Sequence, residues 1–332
     1  MRHVRFFSNL RRQACLTNFT SPHDRFPYYA DNPTYYQAHL ENYHFFKVSG
    51  CDAVLGYILN SVVRAFPWPD CWAIDSTNRT VTLITPPDAT PNLRSDLVAK
   101  TIGEAVERKT FTILEGWRDE LYPVYGPNGE FLLELERCAS SLFGIVSYGV
   151  HVTCYVQDDK GMRIWVPRRS KTKSTFPGML DNTVGGGMST GEQPSECVVR
   201  EAMEEASLPE DYVRDNAAAT GCITYFYARD ERAGGETGLL QPEVEYVYDI
   251  KLNNNIIPKP CDSEVEQFHL FTVEETKQAL ANGEFKPNCA LVLIDFFIRH
   301  GIVTPENEPD FLEITSRLHR RLEFPTASHA TR

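Results

Sequence analysis

The sequence predicts an α/β (α+β) protein built of two units, a smaller α/β domain followed by a larger one. Three observations point there. At 332 residues the chain has room for one large or two medium domains. Its 42% hydrophobic residues against 23% charged are the make-up of an ordinary globular core. Strand-like alternation and helix-like periodicity also succeed each other along the chain. No stretch repeats, which excludes a solenoid.

The elements follow in order. Residues 1–24 form a basic extension in which Arg2, Arg5, Arg11 and Arg12 sit among Phe6, Phe7 and Leu10, and the first carboxylate is Asp24. That composition fits a mitochondrial transit segment or a frayed basic N-terminus. The first domain is expected over 25–140. Residues 44–48 and 53–59 read as strands, and 79–84 as a third in which Val81 and Leu83 alternate with threonines. Residues 92–109 read as a helix, because Leu97, Val98, Ile102, Ala105 and Val106 recur at helical spacing. Residues 131–140 read as a second amphipathic helix. The larger domain is expected over 141–305. It opens with strands at 146–155 and 162–166 around the turn Asp158-Asp159-Lys160-Gly161, followed by a glycine turn at Gly185, Gly186 and Gly187. A helix at 194–206 begins on Pro194, a residue suited to a first helical turn. Strands at 223–228 and 244–252 and helices at 273–281 and 289–300 complete it, and 306–332 make a C-terminal helix or tail.

Lys plus Arg number 33 against 45 Asp plus Glu, a formal charge of −12. So acidic a chain repels nucleic acid and anionic membrane surfaces, and neither is expected as a partner. An anionic substrate therefore needs a local basic patch or a metal ion. The richest apolar run, 289–298, is shorter than the ~20 residues of a bilayer span and is broken by Asp295. Nine cysteines are scattered with no CxxC pair, which reads as reduced thiols rather than a disulfide framework or a thiolate zinc site. A cytoplasmic location is expected, with a mitochondrial one the alternative raised by the basic N-terminus. Oligomeric state is not legible.

The sharpest chemical feature is GGMSTGEQPSECVVREAMEEASL, residues 186–208. At ~100° per residue, Glu201, Glu204 and Glu205 share one arc of the helix, opposite Val198, Val199, Ala202, Met203 and Ala206. Like charges so spaced destabilise a helix by a few tenths of a kcal/mol per pair. Arg200 can pair with Glu204 and reach back to Glu192, but one arginine cannot neutralise the group. Mg²⁺ or Mn²⁺ takes clustered carboxylate oxygens. An acidic helix face alone is most often merely solvated. The glycines just upstream, whose carbonyls can approach an ion, tip the reading toward a cation site.

Together these residues read G-x5-E-x7-R-E-x-x-E-E, with Gly186, Glu192, Arg200, Glu201, Glu204 and Glu205 in place. The pattern resembles the Nudix box. Ala202 fills its first aliphatic position and Leu208 its last, while Ser207 stands where the family has glycine. The resemblance implies a Nudix α/β/α sandwich with a mixed sheet, and hydrolysis of a diphosphate joined to an organic group with Mg²⁺ or Mn²⁺. Carried over, Glu201, Glu204 and Glu205 are metal ligands, one of them also polarising the attacking water. The Gly186 carbonyl is a further ligand, and Glu192 with Arg200 a supporting ion pair.

Segments outside the box carry a second resemblance. WRDELYPVY (117–125), LFGIVSYGVH (142–151), IWVPRRSKTKSTFPGMLDNTVGGG (164–187), EVEYVYD (243–249) and FKPNCALVLIDFFIRHG (285–301) are similar to fungal and plant Nudix proteins related to thiamin pyrophosphokinase. The similarity covers about residues 25–310 and implies an N-terminal accessory domain. With only a short tail beyond, no kinase domain is expected. The implied substrates are damaged oxo and oxy forms of thiamin diphosphate, hydrolysed to monophosphates. Gly185 departs from the alanine usual in these relatives. The alternatives are a pyrophosphatase for ADP-ribose or a nucleotide sugar, and a non-catalytic Nudix ligand-binding protein, against which the intact acidic set argues.

Arg168, Arg169, Lys171 and Lys173 place four cations within six residues, suited to a diphosphate approaching the metal site or to a basic surface turn. Arg169 and Lys173 are the preferred substrate ligands on the resemblance, ahead of Arg168. Glu243 and Glu245 alternate toward one side of a strand after Ala233-Gly234-Gly235, as a mobile general base or a solvated strand face. His151, His269, His300 and Cys154 read as satisfied structural residues. Trp117, Tyr122 and Tyr125 read as core aromatics, with stacking on a pyrimidine the alternative.

Overall fold

The computed structural model of the chain describes residues 24, 26–173, 175–261 and 263–328. The basic extension expected over 1–24 lies, apart from Asp24, outside them. The first domain runs α1 (Pro33–Leu40), β1 (Tyr43–Val48), β2 (Gly56–Leu59), α2 (Asn60–Ala65), β3 (Trp72–Asp75), β4 (Thr80–Leu83) and α3 (Pro91–Glu107). Its strands form a mixed sheet in the order β2-β1-β4-β3, with β1 and β4 parallel. Helix α3 starts where Pro91 presets the first turn and the Thr90 hydroxyl accepts from the Leu93 N–H. Val98, Ile102 and Ala105 pack on Phe46, Val48, Val81 and Leu83 of the sheet. Val106, expected on that face, is exposed. Thr101 is buried instead, its hydroxyl accepting from the Trp72 indole at 2.9 Å, so the polar group carries no desolvation penalty.

Residues 131–140 correct the expectation of a helix. β5 (Leu121–Tyr125) and β6 (Phe131–Glu136) form an antiparallel hairpin. Leu and Glu favour a helix in isolation, but Gly129 at φ 73° turns the chain back on itself. Leu132, Leu133 and Leu135 are then all buried, so tertiary packing overrides local propensity. A short helix, α4 (Ser140–Phe143), completes the same core with Leu142 and Phe143.

The second domain runs β7 (Ser147–Asp158), β8 (Gly161–Arg169), β9 (Val184–Gly187), α5 (Pro194–Ala206), α6 (Glu210–Asn216), β10 (Ala218–Ala228), β11 (Leu240–Lys251), β12 (Val265–Thr272), α7 (Val273–Ala281), α8 (Pro287–Arg299) and α9 (Phe311–Leu318). The sheet follows the path β10-β11-β7-β8-β12, with β9 paired to β7 and with β7 and β11 parallel. Even-numbered Val150, Val152, Val244 and Ile250 meet Cys197, Val198 and Ala202 of α5. On the other face Ile223, Tyr225 and Val247 meet Leu291, Val292 and Ile294 of α8. The result is a mixed sheet between two helical layers. Leu239, between β10 and β11, belongs to the first domain's core, and Tyr57 of β2 to the second's, so the two units interlock.

The glycine turn is also corrected. Gly185, Gly186 and Gly187 lie in strand β9, opposite His151, Val150 and Gly149, and none has a positive φ. Close approach rather than turning requires them: a Cβ on Gly186 would lie 1.9 Å from the Glu201 carboxylate. Eight cysteines are described and all are free. Among the described residues no helix is long and apolar enough to cross a membrane.

Candidate active site

Helix α5 spans the residues its pattern predicted, and of its expected apolar face only Met203 is exposed. It ends at Ser207 with φ 52°, and the turn is closed by the Leu208 N–H donating to the Ala202 carbonyl at 3.1 Å. Serine thus adopts the left-handed conformation that glycine takes at less cost.

Arg200 organises the acidic set. Its Nε and Nη2 donate to Glu192 at 2.9 and 3.1 Å, and Nη1 donates to Glu201 at 2.7 Å and Glu204 at 3.3 Å. Nη2 also reaches the Gly187 carbonyl at 3.3 Å. All three guanidinium nitrogens are therefore spent on this helix, the turn before it and the strand beside it. Glu201 folds over Gly186, and Glu205 accepts from the Gly185 N–H at 3.0 Å. Glu204 is drawn outward to Arg200, its side chain 57% exposed.

Burial, with Asp181 and Glu201 adding repulsion, pushes the Glu205 carboxyl up to about 8. Burial raises Glu201 as well, in spite of Arg200. These carboxyls resist ionising alone, which is the strain a divalent cation relieves. The donors Glu201, Glu205 and the Gly186 carbonyl are all oxygen, and the missing Cβ of Gly186 makes the room in which Glu201 sits; the set fits Mg²⁺ or Mn²⁺.

The tightest grouping of metal-type donors among the described residues is a different one: His151, Asp181 and Cys289, within 4.8 Å of one another. Its chemistry argues against an ion. The Cys289 thiol donates to Asp181 at 2.6 Å, and burial holds that thiol far from ionising. Against the effect of burial, Lys286 and Arg169 hold Asp181 well below the usual carboxylate range.

The basic run is not a free set of cations. Arg169 lines the cleft, but Nη1 donates to Asp181 at 2.6 Å, Nε to the Phe176 carbonyl at 3.2 Å and Nη2 to the Thr175 carbonyl at 2.8 Å. Lys173 also lines it, paired with Glu264. Arg168 lies outside the cleft lining and donates to the Gly178 carbonyl at 2.8 Å, and Lys171 is exposed.

Glu243 and Glu245 are not a solvated face. Both line the cleft, and Glu245 is 7% exposed, because β11 is flanked by β10 and β7 with α8 across it. The Tyr225 hydroxyl contacts both, Glu245 at 3.1 Å, and Glu243 accepts from the Gln241 amide at 2.6 Å. Burial and the charge on Glu245 push Glu243 up to about 7. Glu245, despite burial, is held low by His151, whose Nε2 lies 3.7 Å away. The pair holds one proton near neutral pH.

His151, expected to be satisfied, is buried with Nδ1 lacking a hydrogen-bond partner; a Cβ on Gly185 would come within 2.9 Å of that atom. His300 accounts for itself through Asp249 at 2.9 Å, His269 stacks on Phe271, and Cys154 is buried in the core. Tyr125 packs edge-on against Tyr148, and Trp117 is 44% exposed. Tyr122 is buried in the cleft wall with its hydroxyl over Gly187.

Glu201, Glu204, Glu205, Arg200, Gly186, Arg169, Lys173, Glu243 and Glu245 line one cleft of about 530 Å³ to which both domains contribute, and Glu192 and Arg168 do not. Sequence reasoning missed Glu120, Arg137, Tyr225, Gln241, Lys286 and Asn288, all in its lining. Tyr225 had one signal, its register opposite Glu243 in the β10–β11 ladder. Arg137 lay inside the misread helix.

Residues 147–289 match the NUDIX domain, and residues 30–147 match a domain of unknown function, DUF4743. The chain is 45% identical over 239 residues to an uncharacterized protein of Saccharomyces cerevisiae, YJR142W, an alignment covering 70% of each. It is 37% identical to Nudix hydrolase 20, chloroplastic, of Arabidopsis thaliana, over 63% of this chain and 54% of that one. The chain thus spans about half the length of that plant relative. A crystal structure of DR0079 from Deinococcus radiodurans is similar over 52% of this chain and 97% of that one, with 21% identity and a TM-score of 0.37.

Proposed function

Because this chain belongs to the Nudix hydrolase family, whose members act on diphosphate bonds, we propose that it hydrolyses damaged oxo and oxy forms of thiamin diphosphate to the monophosphates. The observation that carries the reading is convergence. Four segments outside the box that resemble the thiamin pyrophosphokinase-related proteins bring Arg118, Glu120 and Tyr122, then Ser147 and Gly149, then Glu243 and Glu245, then Lys286 and Asn288 to the cleft that holds the box carboxylates. The diphosphate is handled at Glu201, Glu204 and Glu205, and the organic group extends toward Gln241 and the wall of Ile113, Gly234 and Gly235.

Glu201, Glu204, Glu205 and the Gly186 carbonyl would hold Mg²⁺ or Mn²⁺. Bound there, the cation offsets charge on the diphosphate and makes water more acidic. Arg200, tied to Glu192, fixes the helix face. The Glu243–Glu245 pair accepts the proton of the attacking water as its oxygen bonds to phosphorus and the anhydride P–O bond breaks, releasing inorganic phosphate.

Oxythiamin carries an oxo group where thiamin carries the pyrimidine amino group, so a donor becomes an acceptor at nearly constant size. A half-buried polar partner such as Gln241 separates such isosteres, because the wrong ring leaves it unpaired at ~1–3 kcal/mol. The test is steady-state kinetics with Mg²⁺ and with EDTA on oxythiamin diphosphate, thiamin diphosphate, ADP-ribose and a nucleotide sugar. Oxythiamin diphosphate is expected to show kcat/KM at least ~10-fold above thiamin diphosphate. Preference for ADP-ribose would leave only the family assignment, and silence across the panel with ligand-dependent thermal stabilisation would point to a binding protein.

A further inference from the structure

We propose that Arg137, supplied by the first domain, is the cation that grips the substrate's diphosphate. This rests on the assignment of the diphosphate to the box carboxylates, and it gives the first domain a part in binding that group.

The position is the first observation. Arg137 follows β6 and stands in the cleft wall beside the glycine strand: its guanidinium carbon would be 3.3 Å from a Cβ on Gly187. Its charge acts on Glu201 across that strand. Tyr122 closes on the same glycine, and a Cβ there would come within 2.0 Å of its hydroxyl. The third glycine therefore makes room for two side chains of the other domain.

Occupancy is the second. Arg200 and Arg169 engage every guanidinium nitrogen with partners in the second domain, and Lys173 is paired with Glu264. Arg229 spends both terminal nitrogens on Gln241 and the carbonyls of Ala233 and Gly234. Among the described residues Arg137 makes one side-chain hydrogen bond, Nη1 to Glu120 at 2.6 Å. Its guanidinium lies 5.5 Å from the centre of the Tyr122 ring, which orients the plane without using a donor. A guanidinium carries five N–H donors in a planar fork matched to phosphoryl oxygens, so most of this one is left to meet a ligand. Its side chain is 32% exposed, open on the cleft side. Glu120 holds the fork in place while the cleft is empty and yields one donor at little loss when an anion arrives. In a chain of charge −12, this is a local positive charge of the kind an anionic substrate requires; Arg118 and Lys286 also stand in the lining, but Arg137 is the one set against the glycine strand beside Glu201.

The test uses the full chain with Mg²⁺ and methylenediphosphonate, a non-hydrolysable diphosphate, titrated by calorimetry, together with kcat and KM on the hydrolysed diphosphate. Arg137→Gln is expected to weaken methylenediphosphonate binding at least ~10-fold and to lower kcat/KM by roughly 30- to 100-fold, with Arg137→Lys in between. Arg108→Ala, on the outer surface, is the control. A merely structural Arg137 would act through Glu120, so Glu120→Gln would reproduce the loss; the proposal expects Glu120→Gln to bind as tightly as wild type or more so. If Arg137→Gln fails to melt cooperatively, Arg137→Lys and Glu120→Gln still decide. Binding within ~3-fold of wild type in a folded Arg137→Gln overturns the proposal, as does a matching loss in Glu120→Gln. Wild-type binding of methylenediphosphonate without hydrolysis of any diphosphate would sink the hydrolase reading and leave Arg137 standing; no binding by wild type overturns both.

Discussion

Glu205 is a single carboxyl whose environment sets opposite signs for stability and activity. Its unfolded value is the ordinary 4.5 and its folded value about 8, raised by burial and by the neighbouring acids. Between those two values the folded chain keeps a proton that the unfolded chain has released. Stability without metal is therefore full below pH 4.5, falls as pH rises, and is lowest above about pH 8. Glu205→Gln removes that penalty while its amide oxygen can still accept from the Gly185 N–H. In EDTA the variant is expected to melt above wild type at pH 8 and level with it near pH 5, yet to lose roughly 100-fold in turnover with Mg²⁺. Near-normal turnover would remove Glu205 from the metal site. Ser207 offers a second residue-scale test. Its left-handed backbone costs ~1 kcal/mol, but its hydroxyl donates to the Lys259 carbonyl at 3.1 Å, an exposed bond of ~0.5 kcal/mol. Thermal denaturation should therefore rank glycine slightly above serine, and alanine, which keeps the strain and loses the bond, below both. Alanine equal to glycine would mean that backbone strain is not felt there.

At the scale of elements, what could be read from the chain was what a helix or strand decides within itself. α5 was legible because its apolar face, its starting proline and its carboxylate arc all lie within thirteen residues. The Arg200–Glu192 pair was legible because its members stand only eight residues apart, and its strength is testable. Glu192 and Glu201 keep only 18% and 13% of their side chains exposed, so Arg200→Ala leaves two poorly hydrated carboxylates unpaired. A loss of ~1–3 kcal/mol, read as a lower Tm, is expected together with a lower rate. An unchanged Tm would show that the pair contributes nothing to folding. Strand β6 was not legible, because Leu and Glu residues carry a helical bias that only the partner strand β5 overrules. The glycine strand β9 offered no side-chain pattern to read. The basic run was legible only in part: Arg169 and Lys173 do line the cleft, but composition counts cations, whereas Asp181 and Glu264, which engage them, arrive from elsewhere in the chain. The alternation of Glu243 and Glu245 correctly put both on one side of a strand. That the side faces a cleft depends on β7, β10 and α8, none of which is local.

For the whole molecule, the decisive feature is that the cleft is walled by both domains, so contacts between them are contacts around the substrate. The connection from β10 to β11 makes one such contact. Glu236 accepts from the backbone N–H groups of Thr112 and Ile113 at 2.5 and 3.0 Å, and Gly235, at φ 65°, lets the chain pass against Ile113. Leu239, three residues on, is buried in the first domain's core. The strap therefore fixes the wall formed by Ile113, Gly234 and Gly235, at the end of the cleft assigned to the organic group. Glu236→Ala removes the acceptor of both bonds, which at this exposed position is worth about 1–2 kcal/mol. With Leu239 still anchored, the expected loss falls on the wall and not on the fold. KM for the complete substrate should rise about 3- to 10-fold, while methylenediphosphonate, held at the box and at Arg137, should bind within about 2-fold of wild type. Equal weakening of both ligands would mean that the strap acts on the box carboxylates; no change in either would mean that the wall stands without it.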